Sequence, residues 1–434
     1  MFETVLRFSK KYLIPKPVFR LIQPPYHYFF ALLGALICGA PSKKIFVIGV
    51  TGTKGKTTAL EMMNAILEMG GKKTALFSST ARKIGGERKK SPAETTMPGR
   101  FALQRFFQEA VRAGCAYALV EVTSEGVTQH RHRFIHWDAA VFLNIHPEHV
   151  EAHGSFKAYL GAKLDFFRYL KHSVKEKKYF LINKDDPHAP DFMEAADKTK
   201  KKEVVLFSRD DVSKILGEIK EEYNPDWLSA DFNFENAASA NAVAKILGIK
   251  DEEIREAFRN FKTLKGRMDF VQKEPFAVVI DYAHTPLSLL SVYENLQRGL
   301  FFKKGSRLIC VLGSASGGRD KWKRPELGKI AAHHCDQIFI TNEDPYDEDP
   351  RKIMEEIKSG IPDDEAPMPK TELVLDRRDA IERAIFAAGK GDVVAITGKG
   401  SEEWIHAKDG AKIPWDDRRV VEEILKIPAS RDSS

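Results

Sequence analysis

The chain has 434 residues, 43% of them hydrophobic and 30% charged, with a formal net charge of +7. That length allows two or three domains, and the composition is that of a soluble globular protein rather than a disordered or fibrous one. The basic excess reads as a modest charge spread along the chain, suited to anionic substrates and too dilute for a nucleic-acid surface.

No small-residue cleavage pattern of a secretory signal stands at the N-terminus. Residues 29–40, FFALLGALICGA, are an apolar run, preceded by Pro24-Pro25 and by Lys10, Lys11, Lys16 and Arg20. A bilayer span needs about 20 such residues. The run therefore reads either as a buried helix or as an interfacial anchor or partner-docking helix. The four cysteines, Cys38, Cys115, Cys310 and Cys335, stand far apart with no CxxC pair. That argues against a zinc module or a disulfide framework and fits a reducing cytoplasm.

The run Ile45-Phe46-Val47-Ile48 leads into GVTGTKGKTT at 49–58. A strand, a glycine-rich turn and a helix start make a nest of backbone N–H groups for a phosphate chain. Lys56 supplies a point charge to the outer phosphates, and the Thr57 hydroxyl is placed for Mg²⁺. Val50 stands where the generic loop has its first glycine, so the match is to the narrower form TGTxGKTT.

Further strands are expected at 117–122, 139–143 and 179–182, with amphipathic helices at 58–69, 100–113 and 155–170 between them. The lysine-rich stretch 198–202 reads as a solvated loop. Helices follow at 236–248 and 251–261. A second βα series then begins, with strands in 276–284, 307–318, 337–344 and 392–400, each ending in polar residues or glycine. The alternation predicts an α/β architecture: a central P-loop ATPase domain with a mostly parallel, doubly wound sheet, and a C-terminal Rossmann-like α/β domain. The expected division is 1–43 as a short helical, apolar segment, 44–265 as the ATP-binding domain and 266–434 as the C-terminal domain.

Nine motifs in order carry a family resemblance: TGTKGKTT; Thr95-Thr96-Met97-Pro98; EVTSEGVTQHR (121–131); NIHPEHVEAHG (144–154) with AKLDFF (162–167); GRMD (266–269); DYAHTP (281–286); GGRDKWKRP (317–325); NEDPYDEDP (342–350); and TGKGSE (397–402). With these the chain resembles the Mur ligases, ATP-dependent amide-bond ligases of cell-wall synthesis, and most closely their MurE type. The resemblance implies an enzyme that phosphorylates an acceptor carboxylate to an acyl phosphate, which an amino acid then attacks. The acceptor it implies is a UDP-N-acetylmuramoyl-dipeptide, and the amine is diaminopimelate or lysine.

It further implies roles residue by residue. ATP would be held by Gly52, Thr53, Lys54, Gly55, Lys56, Thr57, Thr58, Asn236, Arg267 and Asp281. Mg²⁺ would be held by Thr57, Glu121, His149 and Lys163, the last as a carbamate that turns a repelling ammonium into two oxygen ligands. Lys56, Lys163 and His149 would be catalytic. Thr95, Thr96, Thr123, Gln129 and Arg131 would hold the acceptor. Asp344, Pro345, Tyr346, Lys399 and Glu402 would meet the amino acid, with Lys321 and Arg324 closing on phosphates or carboxylates. The implied partners are small molecules with no nucleic acid, the implied state is a monomer, and the location is cytoplasmic.

Three departures from the family pattern are visible. Residues 1–43 stand where MurE-type enzymes carry a uridine-nucleotide domain. A differently gripped nucleotide sugar or another acceptor, such as a lipid-linked one, therefore stays open. EDPY at 343–346 replaces DNPR, and acidic Asp347, Glu348 and Asp349 could favour a cationic side chain. Ser239 and Ser401 replace a common asparagine and histidine. A folylpolyglutamate-type ligase and an amidotransferase-partnered subunit are the alternative readings.

Overall fold

The segment Phe46–Thr51 carries no charge, so a strand built from it has both faces covered. Every residue in it except Phe46 is buried. In the computed structural model, which describes residues 16–91, 97–147, 154–299, 301–316, 321–362 and 369–426, this strand is the centre of an eight-stranded sheet. Its strands are β1 (Phe46–Thr51), β2 (Thr74–Phe77), β3 (Ala81–Ile84), β4 (Glu87–Lys90), β5 (Tyr117–Glu121), β6 (Ala139–Phe142), β7 (Lys178–Asn183) and β8 (Lys202–Phe207). The order is β4-β3-β2-β5-β1-β6-β7-β8, parallel except for β3 and β4 at one edge. The chain steps outward from β1 to β2 and then returns through β5 to β6. This leaves a switch point at the carboxyl end of β1, where open α/β sheets bind ligands. Register sets Val50 beside Glu121 on one side and Val141 on the other.

A second sheet contains β9 (Asp269–Gln272), β10 (Ala277–Asp281), β11 (Leu308–Leu312), β12 (Gln337–Thr341), β13 (Lys370–Val374) and β14 (Val393–Thr397). Its order is β13-β12-β11-β14-β10-β9, parallel apart from β9. Here β14 returns between β10 and β11, so the carboxyl ends of β10, β14 and β11 lie side by side. A two-stranded hairpin, β15 (Trp404–His406) and β16 (Lys412–Pro414), follows.

The chain divides into two compact units. One holds residues up to Pro147 with Ser155–Leu216 and Phe234–Asn260; the other holds Gly217–Asn233 and the chain from Phe261 onward. Aromatic packing fills the first, with Phe142 stacked on Phe192 at 3.6 Å and Trp137 edge-on to Phe166 at 5.0 Å. Aliphatic side chains cover both faces of the second sheet.

Several expectations are corrected. Lys202 opens β8 rather than lying in a solvated loop, because Val204 and Phe207 find a neighbour in β7. The helix expected to begin at 236 begins at Phe232. The apolar run 29–40 is only half buried, and its helix begins before the prolines, spanning Lys16–Ile37. Cys310 and Cys335 are joined in a disulfide with Cα atoms 6.1 Å apart, against the expectation of free thiols. Topology explains it: Cys310 lies in β11, and Cys335 ends the helix Lys323–His334 just before the neighbouring β12. Among the described residues no helix is long and apolar enough to cross a membrane.

Candidate active site

In the first unit the loop after β1 turns through Gly55 at φ +81°, a left-handed conformation that favours glycine. A Cβ there would lie 2.1 Å from Asn236 Oδ1, so the glycine also makes room for Asn236. Helix Lys56–Met69 begins immediately after, and the N–H groups of its first turn are available to an anion. The loop is held from the side by Asn144, at the end of β6. Its Oδ1 accepts from Thr53 N at 3.1 Å and Lys54 N at 3.0 Å. The Thr53 hydroxyl lies 3.0 Å from Tyr159 Oη and accepts from His146 N at 3.0 Å.

Two lysines converge on this loop. Lys56 Nζ donates to the carbonyls of Gly52 and Thr53, each at 3.0 Å, and lies 3.9 Å from Glu121. Lys163, on helix Phe156–Tyr169, is 2% exposed; its Nζ donates to Gly52 O at 2.7 Å and sits over the Tyr159 ring at 4.7 Å. Glu121, at the end of β5, accepts from the Thr57 hydroxyl at 3.1 Å and from Ser79 N at 3.0 Å, and Thr57 Oγ1 is 3.0 Å from Ser79 Oγ. One carboxylate and two hydroxyls thus meet beside the phosphate loop. This all-oxygen set suits Mg²⁺, which keeps several waters and takes one or two carboxylates plus phosphate oxygens. Among the described residues no group of three His, Cys, Asp or Glu side chains forms a denser metal cage.

Thr58 is buried in the same first turn. Thr123 caps helix Ser124–Thr128 by accepting from Gly126 N. Gln129 Oε1 accepts from Arg131 Nη2 at 2.7 Å, and Arg131 also donates to the Met97 carbonyl. The guanidinium is therefore held in place beside the helix start. His149, Thr95 and Thr96 lie outside the described residues. Asn144, Ser79 and Tyr159 are site residues that the sequence reading missed. Asn144 carried a signal, since it directly follows an apolar strand; the other two become visible only through their partners.

In the second unit the named residues form one chain of contacts. Arg267 lies over the Tyr282 ring at 4.3 Å, and Tyr282 Oη donates to Glu402 at 3.2 Å. Lys399 Nζ donates to Glu402 at 2.6 Å and Asp344 at 2.9 Å, and Asp344 also accepts from His406 N at 2.8 Å. Burial opposes the charge on Lys399, yet Glu402 and Asp344 raise its pKa, so it is an ammonium locked between carboxylates. Tyr346 stacks flat on His406, 5.1 Å apart. Pro345 accepts from Glu348 N through its carbonyl. Both Asp281 oxygens accept backbone N–H groups, from Met268 at 2.7 Å and Ala283 at 2.8 Å, and so shape the GRM and DYAH turns.

Arg324 is fully buried and donates to Glu348 at 3.0 Å and Glu356 at 2.5 Å. Lys321 stands at the rim of the same group, and Arg324 Nε and Nη2 have no hydrogen-bond partner among the described residues. Burial pushes Glu348 up, but Arg324 and Lys321 hold it down at about 2. Asp347 accepts from Asp409 N, and Asp349 caps helix Pro350–Lys358. The carboxylates of this loop each have a partner within the protein. Glu343 is the exception. It is buried, its Oε2 has no hydrogen-bond partner among the described residues, and burial pushes its carboxyl up to about 7.

The chain is similar to known proteins over most of its length. Residues 50–248 match the Mur ligase middle domain and residues 266–400 the Mur ligase glutamate ligase domain. A UDP-N-acetylmuramyl-tripeptide synthetase of Treponema denticola is 34% identical over 421 residues, covering 91% of this chain and 78% of that protein. A UDP-N-acetylmuramoyl-L-alanyl-D-glutamate–2,6-diaminopimelate ligase of Syntrophomonas wolfei is 34% identical over 422 residues, covering 94% and 83%. Among solved structures, a ligase of the latter name superposes with a TM-score of 0.57 at 26% identity, covering 88% of this chain and 78% of that one. Mycobacterium tuberculosis folylpolyglutamate synthase shares the fold, with a TM-score of 0.63 at 16% identity, covering 86% and 91%.

Proposed function

Because the chain belongs to the Mur ligase family, an ATP-dependent, Mg²⁺-requiring group of ligases, we propose that it adds diaminopimelate or lysine to a UDP-N-acetylmuramoyl-dipeptide in peptidoglycan synthesis. The observation that carries this reading is the convergence of Lys56, Thr57, Glu121 and Lys163 on the loop 52–55.

The chemistry follows from these groups. The loop N–H groups and Lys56 hold the triphosphate and neutralise charge on the phosphoryl group as it moves. Thr57 and Glu121 would hold Mg²⁺, which supplies electrostatic stabilisation of that transfer when bound, with His149 and Lys163 as further ligands in our reading. For Lys163 this requires the carbamate; the burial of its amine against Gly52 and Tyr159 supports a role at the loop rather than on the surface. Asn236 flanks the loop at Gly55 and takes the nucleotide's other side. Arg131, held by Gln129, presents a guanidinium to an acceptor carboxylate, with Thr95, Thr96 and Thr123 beside it. The acceptor carboxylate oxygen attacks the γ-phosphorus, ADP leaves, and the amine then attacks the acyl carbon and expels phosphate. Arg267 and Asp281 serve the nucleotide, Asp281 by shaping the turn that carries Arg267. Asp344, Pro345, Tyr346, Lys399 and Glu402 shape the amine site.

We read the enzyme as a monomer at work in the cytoplasm on small molecules, without nucleic acid. The 29–40 segment offers a contact for a membrane or a partner. The division 1–43, 44–265 and 266–434 is our domain reading. Phosphate release tests the function: purified protein with ATP, Mg²⁺ and UDP-muramoyl-dipeptide should release phosphate when diaminopimelate or lysine is added. Release with neither, nor with any other amino acid, would sink the reading.

A further inference from the structure

The basic excess is not spread along the chain. Residues 1–44 hold seven Lys and Arg against one acid, Glu3, a net of +6 out of the chain's +7. The rest of the protein is within one charge of neutral. The same segment is rich in apolar and aromatic residues, as in MFETVLRF and KPVFRLI. Charge and apolar residues therefore coincide in one stretch of sequence.

Helix Lys16–Ile37 covers its unit with one side only. Ala31, Ala35 and Cys38 are buried, and Gln108 donates to the Cys38 carbonyl at 3.3 Å. On the other side Phe29, Leu36 and Ile37 are 57%, 69% and 64% exposed. Phe29 and Leu36 are seven positions apart, hence on one helix face. The exposed Lys43 and Lys44 follow at once. The helix also reaches the acceptor groups: Tyr28, 40% exposed, meets Phe134 edge-on at 5.1 Å and lies 5.5 Å under Arg133, in the loop that also carries Gln129 and Arg131.

We propose that this ridge seats the enzyme on an anionic lipid surface, with Phe29, Leu36 and Ile37 at the acyl boundary and the exposed Lys43 and Lys44 among the headgroups. Charge selects the occupant. A second copy would oppose +6 to +6, and a nucleic acid would leave the apolar ridge without a counterpart. The acceptor loop then lies beside the membrane surface. This goes beyond the ligase chemistry and stands independently of it.

Sedimentation of the full-length protein with vesicles tests the proposal. It should pellet with phosphatidylglycerol-containing vesicles at low salt, be released by about 0.5 M salt, and stay in solution with phosphatidylcholine alone. Each basic residue at such a surface contributes roughly fivefold, so Lys43→Glu with Lys44→Glu should weaken binding by at least about 25-fold. Leu36→Ser with Ile37→Ser should weaken it as well, while phosphate release with a soluble acceptor stays at the parent level in both variants. Absence of vesicle binding, binding undiminished in both variants, or tighter retention by RNA than by these vesicles at equal salt would overturn it. A parent protein that binds vesicles yet releases no phosphate would overturn the ligase reading alone.

Discussion

Lys163 shows how far a single residue can be read. In sequence it is one lysine among several on an amphipathic helix, and only the family motif around it suggests a role. In the structure its amine is buried 2.7 Å from the Gly52 carbonyl. Lys163→Ala should lower kcat by about a hundredfold or more, the scale for removing one charge-stabilising group from a transition state. Partial recovery with added short carboxylates is expected, and an activity equal to the parent's would remove the carbamate from the account. Glu121 and Lys56 were legible because strand ends and loop spacing place them. Ser79, Asn144 and Tyr159 were not, because their roles arise from partners distant in sequence. Glu343 adds a pH dependence. Its carboxyl, ordinarily near 4.5, is raised to about 7 by burial, so the folded state keeps a proton that the unfolded state loses. Stability from this group is full below about pH 4.5 and falls as pH rises to about 7, by about 3 kcal/mol. His132 acts with the opposite sign: burial lowers it to about 3, so its contribution is full above about pH 6.5 and is lost as pH falls towards 3. The difference between Glu343→Gln and the parent isolates the first effect. In urea titrations the variant should gain relative stability from pH 4.5 to 7.5, and a pH-independent difference would contradict the shift.

Elements differ in legibility for a physical reason. Apolar runs that become central parallel strands announce themselves, as at 46–51, 117–121 and 393–397. β4 at the edge and β3 next to it, reading ERKK and ARKI, do not, because the margin of a sheet tolerates charge that a central strand excludes. Helix Lys16–Ile37 runs through Pro24-Pro25, where sequence alone suggests a start. One tie between elements is open to measurement. Arg377, on helix Arg377–Ala387, holds Asp417 of helix Asp417–Ile424 with two bonds of 2.8 Å and donates to the Thr397 carbonyl just before the Lys399 loop. Both partners are fully buried. Asp417→Ala leaves a buried guanidinium without its carboxylate and should cost about 3–5 kcal/mol, seen as a lower denaturation midpoint for the second unit. A change under about 1 kcal/mol would place the pair in water.

At the scale of the molecule, the phosphate loop and the groups assigned to the acceptor belong to one unit, while Arg267, Asp281 and the groups assigned to the amine belong to the other. The α/β architecture was legible because several motifs, such as those at 51–58, 121–131, 281–286 and 397–402, follow directly on apolar strands. The charge concentrated in residues 1–44 was overlooked because a net total hides its distribution. The disulfide depended on topology that spacing does not reveal. The central claim is that ATP activates the acceptor carboxylate before an amide forms. It is tested most directly by labelling both carboxylate oxygens of the acceptor with oxygen-18 and recovering the phosphate released during ligation. The account predicts that each phosphate carries one labelled oxygen, left behind when the amine expels it from the acyl phosphate. Phosphate free of label, alongside amide product, would contradict it.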